Sequence, residues 1–315
     1  MHSVGDLWLW SVFSLIIMSV FCLDFFIFGG RKPRIISFRE ACGWVMAWML
    51  CAFLFGLLVW QHLIPLVGFS VAKQTTLTFY TGYILEDSLS IDNMFVILLI
   101  FQSFAVPSRL QRRVLMWGVM GAVIMRIIMI FLGIGLVNAF HWILYVFGAF
   151  LIISGTKLFF ITEQPKDPSE NSFVIWISKH IHVTKTFVEE KFFIKRNHIW
   201  YATPLLLALI LVEFSDLIFA LDSIPAIFSV TLDPFIVATS NIFAIMGLRA
   251  FYFMVAHVAD RFSTVKYGVA LVLILTGVKL LVQQWVAVPI VWMLMVIVVL
   301  FVGTGLIGLI KQKRK

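Results

Sequence analysis

Acidic side chains occur inside two segments that otherwise resemble membrane-spanning helices. The set contains six acids and two polar neighbours: Glu86, Asp87, Asp92 and Asn93 in the first segment, and Glu213, Asp216, Asp222 and Ser223 in the second. One carboxylate at the centre of a bilayer costs about 3 kcal/mol on insertion scales, so six of them indicate a function. Carboxylate, amide and hydroxyl oxygens, with no Cys or His among them, suit hard divalent cations such as Mg²⁺, Ca²⁺ and Mn²⁺.

The acids of each segment cannot all point at one ion from a regular helix. The spacing from Glu86 to Asp92, and from Asp216 to Asp222, is six residues. That spacing leaves the two acids about 120° apart around the helix axis. We therefore expect either local unwinding, which Pro225 would favour because proline lacks an N–H donor, or a site between the two helices.

The rest of the sequence predicts the scaffold that positions these segments. Of the 315 residues, 62% are apolar and only 13% are charged, against roughly 25% in soluble domains. Apolar runs of about 20 residues recur along the chain. We predict an all-α fold, a polytopic transmembrane helical bundle with about nine spans at residues 7–29, 41–61, 77–104, 114–137, 142–162, 200–229, 235–257, 265–284 and 289–310.

Basic residues are distributed unequally between the loops on the two sides of these spans. One side receives 19 of the 24 lysines and arginines, the other side receives only Lys73, and four lie inside spans. The positive-inside rule then places the N-terminus outside and the C-terminus in the cytoplasm. The net charge of +8 follows from this topology and does not indicate a nucleic-acid partner.

An internal repeat relates spans 3–5 to spans 6–8. Residues 145–158 align with residues 267–280 without a gap. The equivalent polar positions are Glu86 and Asp216, Asp92 and Asp222, Asn93 and Ser223, and Arg126 and Arg249. Three spans are an odd number, so the two copies must cross the membrane in opposite directions, as in many secondary transporters.

The repeat also defines the predicted division of the chain. The segments are two N-terminal helices (1–76), the first repeat (77–162), a cytoplasmic linker (163–199), the second repeat (200–284), and a last helix with a basic tail (285–315). Within the linker, residues 173–194 have apolar side chains among basic ones. They are interpreted either as an amphipathic helix on the membrane surface or as a plain connection.

Two arginines inside spans leave the role of the acids open. Arg126 and Arg249 are predicted counter-charges for an empty ion site, and the alternative is that they pair with the acids only to hold helices together. Six acids against two arginines leave a surplus, which favours an ion pathway. Asp87 and Asp24 are assigned to a proton path or a water-filled vestibule.

Three motifs occur within the predicted spans: Glu86…Leu-Ser-Ile-Asp92-Asn93, Glu213-Phe-Ser-Asp216-Leu-Ile-Phe-Ala-Leu-Asp222-Ser223-Ile-Pro225-Ala, and Ser240-Asn-Ile-Phe-Ala-Ile-Met-Gly247-Leu-Arg249. These motifs resemble the TerC family of integral membrane proteins, in particular its Alx branch in the bacterial inner membrane. The resemblance implies a manganese exporter of the LysE-type transporter superfamily. It implies ion contacts by Glu86, Asp92, Asn93, Glu213, Asp216, Asp222 and Ser223.

The expected activity is Mn²⁺ efflux by alternating access, with Mn²⁺ as the transported ion, H⁺ as a candidate coupling ion and no prosthetic group. No Gly-x-x-x-x-Gly-Lys-Ser/Thr motif occurs, so ATP is not the expected driver. Neither Glu-x-x-His nor His-Glu-x-x-His occurs, so an enzyme is not expected. The alternative is an accessory membrane protein that delivers metal to secreted proteins or associates with the secretion machinery.

Overall fold

The computed structural model describes residues 3–28, 36–140, 142–160, 183–184, 186–196, 199–258 and 265–282, with separate positions between 285 and 304. Within these residues eight long helices follow one another: α1 Leu7–Phe28, α2 Phe38–Val67, α3 Phe69–Ser103, α4 Ser108–Ala139, α5 Ile143–Phe160, α6 Pro204–Phe228, α7 Pro234–Val258 and α8 Val265–Val282. The predicted all-α, polytopic class is confirmed, and each of the first eight predicted spans corresponds to one helix. Residues 295–300 are also helical, and most of the ninth span lies outside the described residues.

Four of the described helices are long and apolar enough to cross a membrane by length and composition: α2, α4, α6 and α7. Shorter apolar stretches occur in α1, α5 and α8. The 35-residue α3 is not among them, and it is the helix that carries Glu86, Asp87 and Asp92. The helix with the most unusual composition for a membrane is thus also the longest one described.

Two expectations about these helices need correction. Helix α3 begins at Phe69 rather than at residue 77, because Lys73 and Gln74 lower the hydropathy of its first turns without disfavouring a helix. No unwinding occurs at Pro225, which lies inside α6 only three residues before the helix ends at Phe228. The N–H that proline lacks costs α6 one hydrogen bond, and the helix continues through Pro225 to Phe228. A site between two continuous helices remains.

The third helices of the two repeats, α5 and α8, pack closely and in opposite directions. A Cβ atom added to Gly155 would lie 2.7 Å from the carbonyl oxygen of Ala270, and one added to Gly277 would lie 2.6 Å from that of Gly148. Gly155 is equivalent to Gly277 in the repeat, and Gly148 to Ala270, so each contact is a copy of the other. Helix α3 likewise packs on α7, and α4 on α6. A two-fold axis that relates inverted repeats produces this reciprocal pattern.

Helices α1 and α2 cover one side of the repeats through aromatic side chains. Phe13 of α1 and Phe55 of α2 pack in one buried cluster with Phe79 of α3 and with Phe235 and Phe243 of α7. The ring centroids of Phe55 and Phe243 are 4.9 Å apart. Large buried rings dominate the energetics of such contacts, so α1 and α2 support the helices that carry the polar residues.

The described part of the linker contradicts a helix through residue 194. Residues 193–196 form strand β1, which pairs antiparallel with β2 at residues 199–202, and Val183 forms an isolated bridge to Ala202. Phe193 and Lys195 are exposed and Ile194 between them is partly buried, which is the period of a strand rather than of a helix. The preceding part of the predicted amphipathic helix, residues 173–182, lies outside the described residues.

Removing the Asp233 carboxylate should loosen the start of α7 and the N-terminal segment together. Its Oδ1 accepts hydrogen bonds from the backbone N–H of Phe235 at 2.9 Å and of Ile236 at 3.1 Å, and its Oδ2 accepts one from Val4 at 2.7 Å. Loss of a helix cap costs about 0.5–2 kcal/mol. We expect Asp233→Ala to lower the melting temperature in detergent. Asp233→Asn, which retains one acceptor, should lower it less, and equal melting of the two variants would contradict the cap.

Candidate functional site

The centre of the site is the guanidinium of Arg126, in the middle of α4, whose side chain is completely buried. Its Nη1 donates to Glu86 of α3, to the Ser223 hydroxyl of α6 at 2.6 Å, and to Asn241 Oδ1 of α7 at 3.1 Å. Its Nη2 lies 3.6 Å from Asp216 Oδ1 of α6. One side chain therefore connects four helices from both repeats.

The charges around Arg126 do not balance. Glu86 and Asp216, which are equivalent positions of the repeat, both face the single guanidinium. Removing either partner of a buried ion pair leaves an uncompensated charge, so the arginine and the carboxylates stabilise the protein only together. If both carboxylates are ionised, the cluster carries one net negative charge, which a second cation can neutralise.

Several buried oxygens have no hydrogen-bond partner among the described residues. Four of them belong to the residues of α3 and α6 that carry the acids: Glu86 Oε2, Ser90 Oγ, Asn93 Oδ1 and Asp222 Oδ1. The side chains of Glu86, Ser90 and Asn93 share one face of α3, and each residue is at most 4% exposed. A buried polar atom without a partner costs about 1–3 kcal/mol. A divalent cation would satisfy oxygens of these types, so the residues fit an oxygen-ligated ion.

Each remaining described acid of the site has a close neighbour, which is on another helix for Glu213 and Asp222 and on the same helix for Asp87. The Glu213 carboxylate lies against Gly121 of α4, where a Cβ atom would overlap it. Asp222 interacts with the Ser154 hydroxyl of α5. Asp87, which is half-buried, interacts with the Tyr83 hydroxyl one turn earlier on α3. These three acids thus lie on α3 and α6, the helices that also carry Glu86 and Asp216, and each contacts a different residue.

Some predicted site residues are not brought into this group. Arg249 is 7% exposed and lines a cavity between α2 and α7 together with Trp44 and Trp48. Asp92 and Asp24 lie on described helices, but their side chains are outside the described residues. Within the described part of the chain, no three His, Cys, Asp or Glu side chains are grouped to hold a metal ion. The ion contacts implied for the seven residues therefore stay predictions.

Sequence reasoning did not assign a role to Asn241, which accepts a hydrogen bond from Arg126. A signal was present, because Thr239, Ser240 and Asn241 are three consecutive polar residues inside an apolar span. All three are completely buried in α7. Thr239 and Ser240 bond to carbonyls of their own helix, whereas Asn241 also reaches another helix. Gly121 was missed because nothing local marks a glycine that makes room for a carboxylate.

Comparison with known proteins gives a consistent assignment. Residues 71–315 match the family described as "Integral membrane protein TerC family". A protein of Salmonella typhi named "Putative membrane-bound redox modulator Alx" is 47% identical over 290 residues, covering 92% of this chain and 90% of that protein. The protein of the same name in Escherichia coli (strain K12) is 45% identical over 308 residues, covering 98% and 96%.

A relative with a different name, from another organism, gives a similar match. The "Uncharacterized membrane protein STKORF319" of Myxococcus xanthus is 45% identical over 287 residues, covering 91% of this chain and 87% of that protein. No solved structure matches. The family match and the apolar helices support a multi-pass membrane protein with a transporter-like function. This chain belongs to the TerC family of integral membrane proteins.

Proposed function

We propose that the chain exports Mn²⁺ from the cytoplasm across the bacterial inner membrane by alternating access, with its N-terminus outside and its C-terminus in the cytoplasm. The observation that carries this proposal is the buried cluster in which Glu86 and Asp216, from the two repeats, face Arg126. In transporters built of inverted repeats, substrate sites lie near the bilayer midplane where the repeats meet. The cluster joins helices of both repeats, which supports an ion site at this position.

In the proposed mechanism Arg126 acts as a counter-charge while no ion is bound. Its guanidinium offsets one of the two negative charges in a medium where a bare charge is costly. An arriving divalent cation would compete for the same carboxylates and gain the unpartnered oxygens of Glu86, Asn93 and Asp222 as further contacts. Such oxygens do not distinguish Mn²⁺ from Mg²⁺ or Ca²⁺ by type alone, and the family resemblance is what favours Mn²⁺.

Export requires an energy source. Moving positive charge outward against an inside-negative potential opposes transport by roughly 2.3 kcal/mol per charge per 100 mV. Exchange of protons for the metal would supply this energy, with Glu213, Asp87 and Asp222 as candidate proton carriers outside the Arg126 ion pair. Flux of Mn²⁺ that is indifferent to an imposed pH gradient would contradict the coupling without contradicting export.

Neutralising Asp222 should stop transport while leaving the fold intact. We expect Asp222→Asn to reduce Mn²⁺ flux in proteoliposomes at least about tenfold, because one lost charge–ligand contact is worth at least about 1.4 kcal/mol. Asp92→Asn should have a similar effect. Asp6→Asn is the matched control, since Asp6 precedes α1 and lies outside the site, and it should retain wild-type flux. Wild-type flux in both Asp92→Asn and Asp222→Asn would remove the proposed site.

The name of the relatives suggests redox modulation as a second candidate for this chain. The same proteoliposomes separate the two candidates. Transfer of electrons from an external reductant to an entrapped acceptor, seen only in vesicles that contain the wild-type protein and show no Mn²⁺ flux, would favour redox modulation. Mn²⁺ flux without electron transfer would favour export.

A further inference from the structure

We infer that Arg249 and Asn93 form a contact in the opposite-facing state that is equivalent to the contact of Arg126 with Ser223 in this structure. The inference rests on the alternating access of the proposed function. It assigns Arg249 and Asn93 as positioning residues that take the place of Arg126 and Ser223 when the protein changes the side to which it opens. The cluster would then hold one guanidinium in each state, supplied alternately by the two repeats.

The first support is the equivalence of the residues. Under the repeat, Arg126 corresponds to Arg249, and Ser223 corresponds to Asn93. The acids exchange as well, because Glu86 corresponds to Asp216. The reciprocal contacts of α5 and α8 show that equivalent positions are related in space and not only in sequence. An inverted repeat can therefore interchange the conformations of its two halves, and each contact of one half predicts a contact of the other.

The second support is the asymmetry of the two acceptors. Ser223 accepts a hydrogen bond from Arg126 at 2.6 Å. Its equivalent, Asn93, is 4% exposed, and its Oδ1 has no hydrogen-bond partner among the described residues. Buried polar atoms in native proteins are normally paired, so an unpaired one calls for an explanation. A donor that arrives in another state of the protein is such an explanation.

The third support is the position of Arg249. Its helix, α7, packs directly on α3, which carries Asn93. Met94 and Leu248, the chain neighbours of Asn93 and Arg249, belong to the same buried cluster. In this structure Arg249 lines a cavity of about 10 Å³ between α2 and α7, which is room for about one water molecule and not for a ligand. The two residues therefore lie on helices that already pack together, as the inferred contact requires.

The exchange of the two halves moves the arginines in opposite directions. When the repeats interchange conformations, Arg249 takes the place that Arg126 holds here, and Arg126 takes the place of Arg249. Loss of Arg126 without a replacement would leave both carboxylates uncompensated in a buried site, so the arrival of Arg249 preserves the charge of the cluster. Each of the two states therefore contains one arginine beside the same two acids, Glu86 and Asp216.

The test measures the populations of the two states without Mn²⁺. Spin labels are attached at Arg109 and His257, exposed positions near the start of α4 and the end of α7, after the three native cysteines are replaced by serine. These two ends are adjacent, since Tyr252 donates a hydrogen bond to Gln111 Oε1 there at 3.1 Å. Distance distributions in lipid nanodiscs are then compared for wild type and for Asn93→Ala, Ser223→Ala and Asn93→Ser.

We expect Asn93→Ala and Ser223→Ala to shift the populations of the two states in opposite directions. Asn93→Ala should raise the ratio of the state seen here to the other state by about tenfold, because a hydrogen bond to a charged group is lost only in the other state. Ser223→Ala should lower this ratio, and Asn93→Ser, which restores an acceptor of the kind found in the second repeat, should return it toward the wild-type value. Shifts of both alanine variants in the same direction, or no shift in either, overturn the inference. Absent Mn²⁺ flux in the wild type would overturn the proposed function alone, because the populations are measured without the ion.

Discussion

Replacement of Arg126 by glutamine is expected to destabilise the protein by about 3–5 kcal/mol and to abolish transport. Glutamine removes the only guanidinium that the described residues place beside both Glu86 and Asp216, and it leaves two buried carboxylates without a counter-charge. The three hydrogen bonds that join α4 to α3, α6 and α7 are lost with it. Thermal unfolding in detergent and Mn²⁺ flux in proteoliposomes measure the two effects.

A double variant distinguishes the loss of the ion pair from a general loss of packing. Glu86→Gln combined with Arg126→Gln removes both charges, so the pair should be less destabilised than the sum of the two single variants. Residues joined in one buried network typically show interaction energies of about 0.5–3 kcal/mol in such a cycle. Strictly additive effects would mean that the Glu86 contact contributes nothing specific. Arg126→Lys, which keeps the charge but not the planar fork, should retain part of the stability.

Adding a single methyl group at Gly277 should separate the two repeats where α5 and α8 meet. The new Cβ would lie 2.6 Å from the Gly148 carbonyl oxygen and 2.9 Å from a side-chain carbon of Ile152. The carbonyl belongs to a helix backbone and cannot move without shifting α5. Overpacking of this kind costs about 1–3 kcal/mol, and we expect Gly277→Ala to lower the unfolding temperature accordingly.

Gly135→Ala is the matched control for this effect. Gly135 is also inside a helix, but a Cβ there meets nothing within 4 Å. Alanine is favoured over glycine in a helix by roughly 0.5–1 kcal/mol, so this variant should be as stable as the wild type or more so. Gly155→Ala, at the repeat-equivalent position, should behave as Gly277→Ala does. If Gly277→Ala melted like Gly135→Ala, the close approach of α5 and α8 would be incorrect.

The features that could be predicted from the sequence are those that depend on local sequence patterns. Apolar runs predicted the helices, and the alignment of residues 145–158 with 267–280 predicted a repeat whose equivalent glycines the structure shows in reciprocal contact. The surplus of acids over arginines indicated a polar group inside the membrane, and Glu86 and Asp216 do face one arginine. Each of these signals comes from composition or spacing along the chain, which the sequence contains directly.

What could not be predicted depends on contacts between distant positions. Arg126 is 115 residues from Asn241 along the chain, and no spacing rule links them. The two arginines are equivalent in the repeat, yet one enters the acidic cluster and the other lines a cavity beside Trp48. This difference depends on side-chain direction, which neither hydropathy nor periodicity records. The β1–β2 hairpin was missed because β1 is short and carries Lys195 and Arg196, which fit an amphipathic surface equally well, and because the apolar residues of β2 were assigned to the start of the sixth span.

The positions along the chain of the residues that contact Arg126 have a consequence for biosynthesis. Glu86 precedes Arg126 by 40 residues, whereas Ser223 and Asn241 follow it by 97 and 115 residues. At typical elongation rates of about 5–20 residues per second, Arg126 leaves the ribosome roughly 6–23 s before Asn241 does. During that interval the nascent first half can neutralise the arginine only with an acid that has already been made. Pairing with Glu86 would let the early helices enter the bilayer before their later partners exist.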